Sequence, residues 1–264
     1  MLKKLVFLIF LLNNIALAQQ KEYNLGLKLY KEKDFAGAIT YFDQAVKIDT
    51  NFAEGFEIRA AAKHQLKNYS GAILDYSKAL QINPESSNNY SSRAYLKYIL
   101  KDYKAAITDY TSALKIDDDN ESNYLNRSLA YIALKDFKSS LTDLDKAIEI
   151  DPKHTEAYLV RANLKKDLGE KNSALLDYSN VIKYDDKNAP AYFNRGLIKA
   201  LQFEYLNAIS DFTKVISLEP KNEKAYYNRG LAKIKIKQDG CPDVKKAIQL
   251  GYKEGLRLAM QYCK

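Results

Sequence analysis

The sequence contains few of the residues that form tight turns. Its 264 residues include no Trp, five Pro and ten Gly, against 21 Tyr and ten Phe. An all-β sandwich or barrel needs a turn signal roughly every eight to twelve residues, and so few Gly and Pro do not supply one. A hydrophobic fraction of 47% and a charged fraction of 28% are typical of globular proteins rather than disordered ones. The composition therefore predicts helices joined by short turns.

Residue types that perform catalysis or bind metals are equally scarce. His64 and His154 are the two histidines, and neither belongs to a motif. The sequence has no Gly-rich phosphate loop, no nucleophile elbow and no cluster with metal-ligand spacing. Its carboxylates recur at regular intervals, as structural positions do. We therefore predict a protein that is not an enzyme and that binds neither a metal nor a cofactor.

Residues 1–18 have the pattern of a cleaved signal peptide. Lys3 and Lys4 form its basic region, residues 5–12 its apolar core, and Ala-Leu-Ala at 16–18 its small-x-small cleavage site. The alternative is an uncleaved membrane anchor, but the apolar run is shorter than the roughly 20 residues that span a bilayer. We expect a mature chain without a membrane span, secreted or periplasmic, with association to the outer membrane as one option.

The net charge is positive but modest. The formal charge of +8 falls by two to +6 once residues 1–18 are removed, and acids and bases alternate along the chain. We interpret most of these charges as solvated helix faces. Because export separates the protein from nucleic acid, we do not expect nucleic acid as a partner.

The most informative feature is an internal repeat of 34 residues. Six arginines share this spacing without an insertion or deletion: Arg59, Arg93, Arg127, Arg161, Arg195 and Arg229. Each arginine is followed by a small residue and preceded, three positions earlier, by an aromatic one. A second segment of each repeat reads small-x-x-x-aromatic-x-x-small, as in residues 72–79, with its apolar positions on one helical face. Such regularity predicts a stack of identical helical units.

This pattern resembles the tetratricopeptide repeat. The resemblance implies an all-α, right-handed superhelical solenoid of antiparallel helix pairs, whose repeats stack to bury a shared core. The expected repeats are 19–52, 53–86, 87–120, 121–154, 155–188, 189–222 and a partial seventh at 223–240, followed by a helical cap at 241–264. This sequence departs from the family in lacking Trp in the aromatic column and in placing Arg where the family usually has Leu.

Five aspartates lie 16 residues after five of the repeat arginines. They are Asp75, Asp109, Asp143, Asp177 and Asp211. Both charges are absent together from the first repeat, which has Leu25 and Tyr41 at these positions. We therefore predict a structural lattice of Arg–Asp contacts, within one repeat, between neighbouring repeats, or both. Four residues after the arginines, five lysines (Lys63, Lys97, Lys165, Lys199 and Lys233) are expected to extend over the aromatic packing with their ammonium groups in water; capture of an acidic ligand is the alternative.

Function should lie where the first helix of each repeat varies, since the resemblance implies a peptide-binding groove there. Asn126, Asn194 and Asn228 directly precede repeat arginines, and an Asn side chain can pair with a peptide backbone. Asn163, Asn194 and Lys224 match three positions of the carboxylate clamp found in some family members. Leu159 and Asn228, however, replace the basic residues that the clamp also needs. The sequence therefore favours a groove for a mixed polar and apolar protein segment.

Three functions remain open at this stage. The first is a non-enzymatic scaffold or adaptor that binds a peptide or partner protein in its groove, in the periplasm or cell envelope. The second is a structural spacer or self-associating array without a groove ligand. The third is a module that binds glycan or peptidoglycan, although most tyrosines occupy packing positions.

The two cysteines, Cys241 and Cys263, both lie in the predicted cap. If its helices are antiparallel, the two side chains meet at the same end of the pair. An oxidising compartment would then join them as a disulfide; two buried free thiols are the alternative.

Overall fold

A computed structural model describes the backbone of residues 2–263 and the side chains of residues 15–263. This part of the chain contains 15 helices and no strand. The helices are α1 (Leu2–Lys31), α2 (Phe35–Ile48), α3 (Ala53–Gln65), α4 (Tyr69–Ile82), α5 (Ser87–Ile99), α6 (Tyr103–Ile116), α7 (Glu121–Ala133), α8 (Phe137–Ile150), α9 (Thr155–Asp167), α10 (Lys171–Tyr184), α11 (Ala189–Leu201), α12 (Tyr205–Leu218), α13 (Glu223–Lys235), α14 (Cys241–Gln249) and α15 (Gly255–Tyr262). The all-α repeat fold predicted from the sequence is confirmed.

Helix α1 runs without interruption through the predicted cleavage site after Ala18. The side chains of residues 1–14, which include most of the predicted signal peptide, lie outside the described part. None of the helices in the described region is long and apolar enough to cross a membrane.

The chain forms two compact units, Met1–Ile150 and Asp151–Lys264. In the N-terminal unit the helices pack as the pairs α1–α2, α3–α4, α5–α6 and α7–α8, and each pair packs on the next. In the C-terminal unit the pairs are α9–α10, α11–α12 and α13–α14, and α15 packs on α14. We call the first helix of each pair the A helix and the second the B helix. Each unit is thus a stack of helical hairpins.

The turn inside the hairpin has the same construction in the first six repeats. Three residues join the A and B helices of the first six pairs, so the two helices must lie side by side as an αα-hairpin. The central turn residue has a positive φ each time, as at Lys67 (59°), Lys135 (62°) and Phe203 (64°). The next residue caps the B helix in several repeats: the Asp34 carboxylate, for example, accepts from the Gly37 N–H at 3.0 Å.

Small residues let the helices approach closely, and large ones fill the space between them. The small position of the B helix is fully buried in six repeats, at Ala38, Ala72, Ala106, Ser140, Ala174 and Ala208. The large position four residues later is also buried, at Phe42, Tyr76, Tyr110, Leu144, Tyr178 and Phe212. These positions repeat because every hairpin buries the same face.

Two glycines bring the helices of the seventh hairpin, α13–α14, close together, and a disulfide joins this hairpin to α15. A Cβ atom on Gly240 would overlap the carbonyl oxygen of Gly230, so both positions require glycine for this close backbone approach. Cys241 and Cys263 form a disulfide across 22 residues, with their Cα atoms 5.4 Å apart. The disulfide ties α15 to the start of α14.

Candidate functional site

Each repeat arginine forms a two-point contact with the aspartate of its own repeat. In the second repeat, Arg59 Nε donates to Asp75 Oδ2 at 2.9 Å and Arg59 Nη2 to Asp75 Oδ1 at 2.6 Å. The same geometry joins Arg93 to Asp109, Arg127 to Asp143, Arg161 to Asp177 and Arg195 to Asp211. The five predicted aspartates therefore pair with the arginine of their own repeat.

The same guanidinium groups also connect neighbouring repeats. Arg59 Nη1 donates to Asp43 of the preceding B helix at 2.6 Å. Equivalent bonds of 2.9 to 3.2 Å reach hydroxyl groups of the preceding B helix: Arg93 to Ser77, Arg127 to Thr111, Arg195 to Ser179 and Arg229 to Thr213. Each of the six guanidinium groups also lies over the aromatic ring three residues earlier, at 5.2 to 5.7 Å from its centre. One side chain therefore contacts two B helices and an aromatic ring.

The expectation that the lysine column keeps its ammonium groups in water is wrong. Lys63 Nζ lies 2.7 Å from Asp75, and the same ion pair recurs at Lys97–Asp109, Lys165–Asp177, Lys199–Asp211 and Lys233–Asp243, at 2.7 to 2.9 Å. The buried carboxylate accounts for this difference, because two oxygens that accept from arginine have lone pairs left for a second cation. These lysines are therefore not available to capture an acidic ligand.

The aspartates of the lattice are held as ion pairs. Each is buried and accepts two hydrogen bonds from an arginine, which is the arrangement of a structural ion pair. At Asp243, burial opposes ionisation, but hydrogen bonds from Arg229 and Lys233 outweigh it and hold the pKa of the carboxyl below its ordinary value. Across the described residues, no group of three or more His, Cys, Asp or Glu side chains could hold a metal ion.

Groove positions of the N-terminal unit surround a polar cavity of about 300 Å³. It lies among the A helices α3, α5 and α7, and its lining includes His64, Ser92, Tyr95, Asn123 and Asn126. Every lining side chain is polar, and none carries a permanent charge. Asn126, predicted to contact a partner, is thus placed on a recessed surface that offers amide and hydroxyl groups.

The predicted groove residues of the C-terminal unit are placed differently. Asn163 Oδ1 accepts from the Tyr178 hydroxyl at 2.6 Å and from Asn194 Nδ2 at 3.3 Å, so these two asparagines lie together and already use that oxygen. Asn228 Nδ2 donates to the backbone oxygen of Lys224 at 2.8 Å, and the Lys224 side chain is exposed. Asn228 also lines a cavity.

That cavity is an apolar pocket of about 290 Å³ between the A helices α11 and α13. Its lining includes Leu197, Leu201, Tyr205 and Leu231, with Asn228 and Lys235 among the polar members. Leu197 and Leu231 lie two residues after repeat arginines, at the same repeat position as Asn163. The other wall of the pocket comes from Leu201 and Tyr205, which lie on either side of a turn and outside the predicted groove positions.

Comparisons with known proteins identify the repeat. One family model of the tetratricopeptide repeat matches residues 88–120, 122–154 and 189–222, and a second model of the same description matches residues 23–87. No curated protein sequence gives a significant match.

Several solved structures share the fold. A tetratricopeptide repeat protein from Parabacteroides merdae ATCC 43184 is 20% identical, with a TM-score of 0.66 over 92% of this chain and 99% of that one. YrrB, described as a TPR protein with an unusual peptide-binding site, is 22% identical, with a TM-score of 0.60 over 70% and 95%. A MamA structure is 25% identical, with a TM-score of 0.59 over 68% and 96%. The chain belongs to the tetratricopeptide-repeat family.

Proposed function

We propose that this protein is a non-enzymatic interaction scaffold that binds a segment of a partner protein along its A helices. The observation that carries the proposal is the contrast between the two classes of repeat position. Packing positions are closed and nearly identical in every repeat, whereas groove positions differ and surround the polar cavity in one unit and the apolar pocket in the other. A recessed surface with varied chemistry suits recognition of a specific partner.

A similar protein supports the choice of ligand class. YrrB, which shares the fold at 22% identity, is described as having a peptide-binding site. An extended segment can use asparagine side chains for its backbone groups and recesses for its side chains. Both kinds of contact are offered by the A helices of this chain, at Asn126 and at Leu231 respectively.

The proposed location is outside the cytoplasm, secreted or in the periplasm. The support is the signal-peptide pattern of residues 1–18 together with the Cys241–Cys263 disulfide, a bond that persists in oxidising compartments. Cell fractionation and N-terminal sequencing of the full chain test it. Mature protein that begins at Gln19 outside the cytoplasm is the expected result, and an intact N-terminus in the cytosol would contradict it.

Site-specific photo-crosslinking in cells tests the scaffold. A photoreactive residue replaces Asn126 or Leu231 on the A helices, and the control replaces Leu176, which is 70% exposed on a B helix. We expect one partner protein, identified by mass spectrometry, to crosslink at the A-helix positions and not at position 176. Equal crosslinking at position 176, or none at positions 126 and 231, would favour the structural spacer.

A further inference from the structure

The sixth repeat breaks the pattern of the others at one edge of the apolar pocket. Three large apolar side chains stand largely in solvent there: Leu201 is 63% exposed, Phe203 78% and Leu206 68%. The second repeat has Gln65, Lys67 and Ser70 at the same three positions, and the fourth repeat has Ala133, Lys135 and Lys138. We call these three apolar side chains, together with the apolar pocket, the sixth-repeat patch.

Packing does not explain the patch. Phe203 has a φ of 64°, a left-handed conformation that is costly for a bulky residue, and its ring makes one aromatic contact, edge-on to Tyr205 at 6.2 Å. Leu201 and Tyr205 both line the apolar pocket, the Phe203 ring contacts the Tyr205 ring, and Leu206 follows Tyr205 in α12. Exposed apolar side chains grouped beside a recess mark an interaction site.

The charges around the patch indicate what covers it. The excess positive charge is concentrated in one unit, because residues 151–264 contain 21 Lys and Arg against 14 Asp and Glu, whereas residues 1–150 contain 20 against 19. Lys235 lines the apolar pocket, is exposed, and has no ion-pair partner among the described residues. A second copy of this chain would bring the same positive unit to the patch, and like charges oppose such an association.

The shape of the surface argues for a protein side chain rather than a lipid bilayer. The apolar pocket is a recess of about 290 Å³, near the lower limit of about 300 Å³ for ligand cavities, and it suits a bulky side chain. Glu204 lies between Phe203 and Tyr205 and is exposed, so insertion of this turn into a bilayer would bury a carboxylate in hydrocarbon.

We infer that the sixth-repeat patch binds a partner segment in which a bulky apolar residue is flanked by acidic residues. The apolar residue enters the pocket between Leu197 and Leu231, Phe203 and Leu206 cover its neighbours, and an acidic residue pairs with Lys235. This inference rests on the proposed scaffold function and specifies the chemistry of its partner.

The test begins with a displayed library of random peptides, selected against the immobilised full chain. Enriched peptides are synthesised with a fluorescent label, and their affinity is measured by anisotropy. We expect Leu, Phe or Met next to Asp or Glu, and affinity that falls as ionic strength rises from about 0.01 M to about 1 M, since screening shortens from about 30 Å to about 3 Å. Peptides with basic flanks, or without a bulky apolar residue, would overturn the inference.

Variants in which the sixth repeat carries the residues of another repeat show where the peptides bind. Leu201→Gln, Phe203→Lys and Leu206→Ser together give the sixth repeat the residues of the second, and we expect at least about a tenfold loss of affinity. The matched control is Leu176→Thr, an equally exposed leucine on α10 replaced by the residue found at Thr108 and Thr142. Unchanged thermal unfolding shows that the triple variant is folded. Equal loss in both variants would overturn the inference.

Two charge-reversal variants test whether the acidic residues of the peptide pair with Lys235. Lys235→Glu should weaken binding of acidic peptides by about tenfold, whereas Lys245→Glu, on α14, changes the net charge equally without touching the pocket. If both variants lose affinity to the same extent, the flank recognises net charge rather than Lys235, and the inference is wrong.

Other occupants give different results. Sedimentation of the wild type with phosphatidylglycerol vesicles that is lost in the triple variant would assign the patch to a membrane surface. A concentration-dependent dimer lost in the same variant would assign it to a second copy. Peptides that bind unless Asn126 is replaced, and that tolerate the triple variant, would leave the scaffold standing and remove the patch as its site. A selection that enriches no peptide would count against both the scaffold function and the sixth-repeat patch.

Discussion

Arg229 pairs with Asp243 across 14 residues, although the five preceding arginines pair with aspartates 16 residues away. The geometry is otherwise the same: Nε to Oδ2 at 2.9 Å, Nη2 to Oδ1 at 2.6 Å, and Lys233 as the second cation at 2.8 Å. The helices α13 and α14 are thus a seventh repeat in which two fewer residues separate the arginine from the aspartate. Five residues rather than three join these helices, and α14 begins only two residues before Asp243. Gly240, directly before α14, lies against Gly230 of α13.

Asp243→Asn should therefore destabilise the C-terminal unit. The Asp243 side chain is 8% exposed. Replacing its carboxylate by a neutral amide leaves the largely buried side chains of Arg229 and Lys233 without a counter-ion. We expect a loss of about 3 kcal/mol in the free energy of unfolding, measured by denaturant titration. Asp167→Asn is the control, since Asp167 is 73% exposed and should cost less than about 1 kcal/mol. Equal effects would show that the lattice contributes no more than a surface ion pair.

The same aspartate predicts a dependence on pH. Because its pKa is lowered in the folded protein, Asp243 binds a proton more readily when unfolded. Its contribution is therefore complete above the ordinary carboxyl pKa of about 3.9 and is lost as pH falls through the lowered folded value. The stability difference between wild type and Asp243→Asn should be constant near neutral pH and shrink below about pH 4. A difference that stays constant down to pH 3 or so would contradict this assignment.

The sequence alone was enough to predict the repeat and its helices, because six units carry the same packing residues at a fixed spacing. It was also enough to align the arginines with the aspartates. The Arg229–Asp243 pair of the seventh repeat was not predicted because Asp243 falls two residues outside the period. The signal was nevertheless present: Asp243-Val244 followed by Ala247 has the order of Asp75-Tyr76 followed by Ala79. A gap of two residues in the period brings Asp243 into line with the other five aspartates.

The candidate site was harder to predict, since it depends on which side chains already have partners. Asn163 and Asn194 look like free amides in the sequence, but the structure uses the Asn163 oxygen for two hydrogen bonds. The lysine column likewise looks solvated until the second lone pairs of the aspartates are taken into account. Phe203 occupies a turn, so it does not belong to the helix faces that the periodicity predicts.

Gly240→Ala should disrupt the seventh repeat by a steric mechanism. The added Cβ would overlap the Gly230 carbonyl oxygen, so the backbones of α13 and α14 must separate. We expect a loss of about 2 kcal/mol or more. Gly169→Ala is an informative comparison, because φ is 84° there but the space is open; it should cost only about 1 kcal/mol. Similar losses at both sites, measured by thermal unfolding, would argue against the close backbone approach.

The disulfide should stabilise the end of the C-terminal unit. Closing a loop of this length contributes about 3 kcal/mol in the chain-entropy model. Cys263→Ser should therefore increase hydrogen exchange in α14 and α15 while leaving α9 to α11 unchanged. Reduction of the wild type should reproduce the variant. Two free thiols in the exported protein, titrated under denaturing and non-reducing conditions, would contradict the bond.

Phe203→Gly should weaken binding at the sixth-repeat patch without loss of stability. Glycine removes the cost of the positive φ, which is about 1–2 kcal/mol for a residue with a side chain. The greater freedom of glycine in the unfolded chain offsets about 0.5–1 kcal/mol of this stabilisation. We expect a net increase of about 0.5 kcal/mol in the free energy of unfolding, together with weaker binding of acidic apolar peptides. The matched control is Lys237→Gly, where φ is 62° and the side chain is also exposed; it should give the same gain and leave binding intact. If Phe203→Gly destabilises the protein while Lys237→Gly does not, the Phe203 ring contributes to packing, and its exposure is not evidence for a partner.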